Sequence, residues 1–116
     1  MLESGSIVIR VNELKKLSRF WCGALDLVER IDDDIDFKLL RPRNGQGPNI
    51  SLDMNFSERK LPPRVHLDLY TDNQTTEVRR LELLGATRIN WSKQPTNSDY
   101  VIMEDPEGNR FCIIQK

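Results

Sequence analysis

Residues 65–85 read VHLDLYTDNQTTEVRRLELLG, and this stretch decides the fold of the second half of the chain. Apolar and polar residues alternate without a break over Val65–Tyr70, which predicts a β-strand. Successive side chains of a strand point to opposite faces, so His66 and Asp68 share one face and the leucines lie on the other. The apolar face then has to pack against a neighbouring element.

A helix is predicted to follow this strand. Thr71 and Gln74 have the spacing of a capping box, in which two side chains bond to the free backbone N–H groups of the first turn. Further along, apolar residues recur at helical spacing at Val78, Leu81 and Leu84. Gly85 stands where a left-handed residue commonly ends a helix. The stretch therefore predicts a strand followed by an amphipathic helix.

The same kinds of pattern continue on both sides of this stretch. After the helix we predict strands at Thr87–Trp91, Asp99–Glu104 and Arg110–Ile114. The turn DPEGN precedes the last of them. In the first half, Asn12 is the predicted cap of a helix over about Glu13–Gly23. This helix lies among four predicted strands, at Ser6–Val11, Leu27–Ile31, Phe37–Arg41 and Asn49–Met54.

The two halves are one β-α-β-β-β pattern written twice. Adding 59 to a number in the first half gives its counterpart in the second. The counterparts include Leu25 and Leu84, Asp53 and Cys112, and Ile7 and His66. We predict a single domain over 1–116, made of two modules, 5–55 and 64–115, with the proline-containing linker 56–63 between them.

The composition narrows the range of partners. The 116 residues include 17 basic and 18 acidic side chains, so no broad positive field attracts nucleic acid or an anionic membrane. No stretch reaches the roughly 18 apolar residues of a membrane helix. The opening residues, MLESGSIVIRV, lack a secretory pattern. We therefore expect a cytoplasmic protein with two reduced thiols and no nucleic-acid or membrane partner.

Polar side chains gather on the strand faces opposite the helices. A curled sheet would turn such a face into a concave site, whereas the simpler alternative is a face that is only solvated. His66 is a candidate base or hydrogen-bond anchor, or else a structural histidine. Cys112 is a candidate ligand contact, or else a small buried hydrophobe. The polar candidates are Asp53, His66, Asp68 and Cys112, and the aromatic residues that could line a pocket are Phe37, Trp91 and Tyr100.

Three motifs carry a resemblance to a known family. They read RVNELKKLSRFWCGALDL at 10–27, RVHLDLYTDNQTTEVRRLELLGATR at 64–88 and EDPEGNRFCII at 104–114. The chain resembles the vicinal oxygen chelate superfamily of glyoxalase I, bleomycin-resistance proteins and extradiol dioxygenases, and within it the bacterial glyoxalase-like domains. The resemblance implies an α+β fold in which two βαβββ modules form a curled mixed sheet with a central cleft. In many members it also implies a divalent metal. Members of the superfamily pair their modules either within one chain or between two chains, and the sequence leaves both arrangements open. We expect a homodimer.

The metal ligands that the resemblance implies come from four positions, Ile7, Asp53, His66 and Cys112. Isoleucine cannot bind a metal, and Cys112 stands where a glutamate is usual. The chain has one histidine, so the two-histidine iron site of dioxygenases cannot form within it. We therefore expect either no cofactor or a three-ligand site of Asp53, His66 and Cys112. Such a site suits zinc, with nickel, manganese and iron as the other divalent candidates.

Three functions remain open at this point. The favoured one is a glyoxalase-like protein that binds a small, partly aromatic or oxo-containing molecule in the cleft, with a degenerate metal site. The second is a metal-dependent lyase, isomerase or dioxygenase of the same superfamily, since such reactions need a Lewis acid and a group that moves protons. The third is an accessory or dimerisation module without catalysis.

Overall fold

The chain divides into two compact units, Met1–Lys60 and Leu61–Lys116. The computed structural model describes residues 5–54 and 65–116, so the predicted linker 56–63 lies outside the described residues. The elements of the first unit are β1 (Ser6–Val11), α1 (Leu14–Leu25), β2 (Leu27–Glu29), β3 (Phe37–Pro42) and β4 (Asn49–Met54).

The first sheet has the strand order β1-β4-β3-β2. Strand β1 is parallel to β4, because α1 and the two intervening strands bring the chain back to run beside its own beginning. The β2–β3 and β3–β4 pairs are antiparallel. Helix α1 covers one face of this sheet and buries Leu17, Phe20 and Trp21 against the buried strand residues Leu40, Ile50 and Leu52.

The second unit repeats this arrangement. Its elements are β5 (Leu67–Thr71), α2 (Gln74–Leu84), β6 (Thr87–Ile89), β7 (Tyr100–Glu104) and β8 (Arg110–Gln115). The strand order is β5-β8-β7-β6, with β5 parallel to β8 and the other pairs antiparallel. The fold is therefore α+β and consists of two βαβββ modules, which confirms the prediction.

Helix α2 is less deeply packed than α1. It buries Val78 and Leu81, whereas α1 buries six residues. The sheet face that α2 covers is nonetheless apolar, and its buried residues are Val101, Met103, Phe111 and Ile113. Over Leu67–Tyr70 the alternation has the predicted orientation, since Leu67 and Leu69 are partly buried while Asp68 and Tyr70 are exposed. Val65, predicted on the apolar face, is instead 78% exposed, because it lies before the strand begins.

The start of α2 differs from the predicted capping box. Asn73, and not Thr71, is the cap residue, and its side chain accepts a hydrogen bond from the backbone N–H of Thr76. Thr71 instead accepts from the backbone N–H of Asn73, which shapes the turn before the helix. The amide of Gln74 donates to the carbonyl oxygens of Asp99 and Ile113, at 2.9 and 2.8 Å. Long-range bonds to the sheet therefore replace the predicted local pair.

The cap of α1 is also one residue away from its predicted position. Glu13, and not Asn12, stands at the N-cap. At the other end, Asp26 adopts the left-handed conformation with φ 53°. Gly85 does the same after α2, with φ 115°, which confirms the predicted glycine at that helix end. Asp26 and Gly85 are separated by the same 59 positions that relate the two halves.

Two candidate residues lie just outside the strands that were predicted to contain them. Strand β6 ends at Ile89, so Trp91 lies in the following loop and not in a strand. Strand β5 begins at Leu67, so His66 immediately precedes it. Strands β1 and β4 have the predicted bounds. No helix in the described part of the chain is long and apolar enough to cross a membrane.

The correspondence between Ile7 and His66 is wrong by one residue. Arg10 is level with Asp53 in the first sheet, and Asp68 is level with Cys112 in the second. The residue two positions before Arg10 is Val8, and the residue two positions before Asp68 is His66. Ile7 lies on the helix-covered face, level with the buried Ile50. Val8, which is 57% exposed, therefore occupies the place that His66 has in the second unit.

Candidate functional site

The face of the second sheet that points away from α2 carries most of the predicted site residues. We call it the distal face and define it by His66, Asp68, Tyr70, Tyr100 and Cys112. Asp68 is level with Cys112 across the β5–β8 pair. On the next row, Tyr70 and Tyr100 are both level with Ile114. The distal face thus has a polar row beside an apolar and aromatic row.

Three side chains of the polar row form a cluster. His66 Nε2 lies 3.1 Å from Asp68 Oδ1. One potential ligand atom from each of His66, Asp68 and Cys112 lies within 4.8 Å of the other two. The side chains of His66 and Asp68 are 48% and 45% exposed, so a solute reaches them without a change of fold.

The environment of Cys112 keeps its thiol protonated at neutral pH. Burial raises the pKa of this thiol, and the nearby negative charge of Asp68 raises it further, while Arg110 acts in the opposite direction. A reactive cysteine needs surroundings that lower the thiol pKa. The site therefore does not favour Cys112 as a nucleophile in the metal-free protein.

A well-bonded turn positions Cys112. Asp105 is buried, and its carboxylate accepts hydrogen bonds from the backbone N–H groups of Glu107 and Asn109 and from the side-chain amide of Asn109. Gly108 has φ 89°, a conformation that a side chain would strain. This turn sets the β7–β8 register and therefore the face on which Cys112 lies.

The remaining aromatic candidates occupy different places. Tyr100 lies on β7 and is partly buried, whereas Trp91 is 48% exposed in the loop after β6. Phe37 begins β3 in the first unit and is level with Asp53, which in turn is level with Arg10. Asp53 and Phe37 thus lie on the corresponding face of the first sheet.

A family model described as Glyoxalase-like domain matches residues 6–114. The chain belongs to the glyoxalase-like domain family. The resemblance to the vicinal oxygen chelate superfamily is thereby confirmed. No curated protein matches the sequence.

Solved structures share the fold of this glyoxalase-like protein at low sequence identity. A glyoxalase/bleomycin resistance protein/dioxygenase family enzyme from Burkholderia phytofirmans is 17% identical, with 96% of each chain covered and a TM-score of 0.74. The fosfomycin resistance protein FosX from Listeria monocytogenes, complexed with Mn(II) and 1S,2S-dihydroxypropylphosphonic acid, is 14% identical, with 97% of this chain and 87% of that chain covered and a TM-score of 0.74. TnmS3, an antibiotic binding protein from Streptomyces, is 19% identical, with 99% and 96% covered and a TM-score of 0.67.

The donor chemistry of the cluster fits a divalent metal. An imidazole nitrogen, a carboxylate oxygen and a thiol sulfur are the three ligand types that zinc accepts. Within residues 5–54 and 65–116, this is the one group of three or more such side chains that are close together. The glyoxalase-like chain therefore has the residues to hold an ion in its second unit, with Asp68 beside His66 and Cys112.

Sequence reasoning assigned Asp53, and not Asp68, to the candidate metal set. Asp68 was recognised only as a ligand contact, although its spacing of two residues from His66 already placed both side chains on one strand face. The same alternation places Tyr70 on this face, and its 65% exposure makes it a further candidate contact beside the predicted ones. The signal in both cases is the period of two along β5.

Proposed function

We propose that this glyoxalase-like protein binds a small molecule on the distal face of its second sheet, around His66 and Asp68. The observation that carries the proposal is the 3.1 Å contact between His66 Nε2 and Asp68 Oδ1 on two half-exposed side chains. Small-molecule sites combine a few placed polar groups with an apolar surround, and the row of Tyr70, Ile114 and Tyr100 supplies that surround.

The His66–Asp68 pair favours a particular kind of ligand group. An ionised carboxylate only accepts hydrogen bonds, so a neutral His66 carries its proton on Nε2 and donates it to Asp68. The other ring nitrogen, Nδ1, is then an acceptor. A hydroxyl or amide N–H of a ligand suits this acceptor, and an aromatic ring on the same molecule suits the faces of Tyr70 and Tyr100.

The relatives support the class of ligand and no more. TnmS3 is described as an antibiotic binding protein, and the FosX structure is a complex with Mn(II) and a small phosphonic acid. Both proteins share the fold of this chain. We accordingly propose a partly aromatic or oxo-containing small molecule for this chain. Asp53 and Phe37 in the first unit, and Trp91 in the second, stay predicted contacts of that molecule.

A thermal-shift screen with EDTA present tests the proposal. Aromatic and 2-oxo compounds are added to the protein, and a compound at 100 times its Kd stabilises the native state by about 2.7 kcal/mol. We expect at least one such compound, and we expect His66→Ala to weaken its binding at least tenfold. The control is Leu83→Ala, because Leu83 is 85% exposed on α2 and its truncation should leave binding unchanged.

Two results count against the proposal. If no compound raises the melting temperature, the third function, a non-catalytic accessory or dimerisation module, becomes the better account. If His66→Ala and the parent protein bind an active compound equally, the ligand binds elsewhere on the chain.

The cluster of His66, Asp68 and Cys112 favours a second candidate, a metal-dependent lyase, isomerase or dioxygenase. When bound, a metal would supply a Lewis acid that polarises a substrate oxygen. The residues of the chain would hold the ion, and His66 could act as a base only if its imidazole were not itself a ligand. Turnover that survives EDTA would count against this candidate.

Two expectations about the whole protein stay predictions. One is the homodimer, and light scattering would give a mass of two 116-residue chains if it forms. The other is the cytoplasmic location, which fractionation of the source cells would test.

A further inference from the structure

We propose that the second unit binds a small zwitterion, an α-amino acid with a short apolar side chain, in a groove between α2 and the edge strand β6. The groove has a volume of about 170 Å³ and lies on the helix-covered side of the sheet, opposite to the distal face. The inference goes beyond the proposed function, because both the site and the class of ligand are different. Three charged side chains that line the groove carry it, namely Arg79, Glu82 and Arg88.

The two walls of the groove come from different elements. Val78, Arg79 and Glu82 form a single stripe along α2, since residues three or four positions apart are neighbours on a helix surface. Arg88 of β6 forms the opposite wall. It is level with the buried Met103 of β7, so its side chain leaves the strand on the face that α2 covers.

The floor of the groove is apolar. Val78 and Val101 are 5% and 9% exposed, and the methylene groups of Arg79 and Arg88 border them, because arginine packs its stem along apolar surface. Gln74 closes one end, which its side-chain hydrogen bonds to the sheet hold in place. The volume is well below the roughly 300 Å³ at which drug-sized pockets begin. The groove therefore suits a molecule with a short apolar branch.

The charged groups of the groove are not used by the protein itself. Within residues 5–54 and 65–116, the side chains of Arg79, Glu82 and Arg88 form no ion pair or hydrogen bond. Glu77 and Arg80 of the same helix have the same spacing of three residues and do pair, at 2.8 Å. An acidic residue before a basic one is the favourable order on a helix, and Arg79 and Glu82 have the reverse order. All three groups are thus available to a ligand.

The signs of the charges define the ligand. Two guanidinium groups from opposite walls suit a planar carboxylate, which accepts paired N–H bonds. The carboxylate of Glu82 accepts hydrogen bonds from an ammonium group, and it repels a ligand with a second negative charge, such as phosphate or a dicarboxylate. A carboxylate and an ammonium group on one carbon atom, with an apolar branch above the valines, meet all three conditions. These are the features of an α-amino acid.

The first unit closes the matching place with its own side chains. Ser18 is the fifth residue of α1, as Val78 is of α2. Ser18 donates a hydrogen bond to Glu29 of β2, which is level with the buried Leu40 and so lies on the helix-covered face. In the second unit Val78 has no hydroxyl group, and Arg88 takes the place of Glu29. One amino-acid site per chain is therefore expected.

Titration of the protein with L-leucine, followed by amide NMR spectra, tests the proposal. EDTA is present, so that no metal joins leucine to the polar cluster of the distal face. We expect saturable shifts that are largest in α2, at Arg88 and at Val101. Isovaleric acid lacks the ammonium group and 3-methylbutylamine lacks the carboxylate. Each should bind at least about fivefold more weakly than leucine, because each loses a charge-assisted hydrogen bond.

Three substitutions locate the ligand groups. Arg79→Ala and Arg88→Ala should each weaken leucine binding at least about threefold. Glu82→Gln should remove the preference for leucine over isovaleric acid. Arg19→Ala is the matched control, because Arg19 is the sixth residue of α1, as Arg79 is of α2, and both are exposed. The replaced side chains are all on the surface, so the variants should keep the fold, and the spread of their amide signals verifies this.

Four results would overturn the proposal. They are the lack of saturable shifts, shifts confined to the distal face, equal affinity for leucine and isovaleric acid, and unchanged leucine affinity in Arg88→Ala. The screen for the proposed function is read at His66, whereas this titration is read at Arg88. The two sites can therefore fail separately.

Discussion

The two sheets have the same strand order and matching pairings, yet among residues 5–54 and 65–116 only the second sheet carries a cluster of ligand-type side chains. Arg10 faces Asp53 across β1 and β4, and Asp68 faces Cys112 across β5 and β8. Val8 and His66 complete the two sets. The comparison shows that the βαβββ module provides a set of positions, and that the side chains at those positions decide what the module can bind.

The two helices also differ, and here the first unit has the larger set, because α1 buries more residues than α2. Helix α1 buries six residues, including Trp21, whose ring meets that of Phe20 edge to face at 5.1 Å between centroids. Helix α2 buries two. Helix α1 therefore buries more side chains than α2, whereas the polar cluster lies in the second unit.

The largest expected effect comes from moving the cluster into the first sheet. The changes are Val8→His, Arg10→Asp and Asp53→Cys, which reproduce the residues of the second sheet in the same register. We expect zinc stoichiometry to rise from one to two equivalents per chain, as measured by titration against a chromophoric chelator. The control is Arg10→Asp alone, which should leave the stoichiometry at one.

A single equivalent in the triple variant would limit the comparison. It would mean that three ligand side chains in the matching register are not enough to bind zinc. Other features of the second sheet would then also be needed. The retained equivalent should then be lost on Cys112→Ser, which shows that the original site is intact.

Core truncation should give the largest change in stability. Trp21→Ala removes a side chain that is 1% exposed, and we expect a loss of about 3–5 kcal/mol in the free energy of unfolding. Leu81→Ala in α2 should cost about 2–5 kcal/mol and less than Trp21→Ala, because the removed side chain is smaller. Urea denaturation followed by circular dichroism measures both.

Leu83→Ala is the control for these variants, with an expected change within about 0.5 kcal/mol because the side chain is exposed. A larger cost for Leu81→Ala than for Trp21→Ala would contradict the view that the first unit is the better packed of the two.

The fold could be read from the sequence because its strands alternate and its helices carry apolar stripes. The register of β1 could not, since Ile7, Val8 and Ile9 are all apolar and show no alternation. The cap of α2 was missed because Gln74 bonds to carbonyl groups of Asp99 and Ile113, which are remote in sequence. Long-range pairing and one-residue register are the features that a local pattern does not contain.

For the candidate site, the alternation of apolar and polar residues at 66–70 correctly predicts that His66 and Asp68 lie on the same face. The third donor predicted from the sequence is Asp53 of the first unit, whereas Asp68 completes the cluster within the second unit. The predicted strand Thr87–Trp91 ends in tryptophan, a residue type that favours strands. In the structure, β6 pairs with β7 only as far as Ile89.

The helix ends provide an intermediate test of the comparison. Gly85→Asp should destabilise the protein by about 1–2 kcal/mol, because φ 115° disfavours any side chain. A Cβ there would also lie 3.4 Å from Pro106 Cγ. The reverse change, Asp26→Gly, should alter stability by less than about 1 kcal/mol, since relief at φ 53° is offset by loss of the exposed ion pair with Arg43. Thermal unfolding of both variants decides whether the two ends are interchangeable.

The smallest expected effect is a pH dependence from Cys22. Burial raises the pKa of this thiol, the charge of Glu29 raises it further, and Ser18 and Arg43 oppose the change. The folded state then holds the proton more tightly than the unfolded state, so stability falls as the pH rises above the ordinary thiol value of about 8.5. Melting temperatures between pH 7 and 10 should fall less steeply in Cys22→Ala, and equal slopes would contradict this role of Cys22.

The buried carboxylate of Asp105 has a consequence for how this protein can vary. A strand that slips by one residue exchanges its two faces, so an insertion or deletion in the turn 105–109 would move Cys112 under α2 and bring Phe111 or Ile113 to the surface. A change of length within residues 90–98, before β7, leaves the turn 105–109 between β7 and β8 intact. Length changes in a library of variants should therefore accumulate in the longer loop, while the five-residue turn tolerates substitution only where the bonds to Asp105 survive.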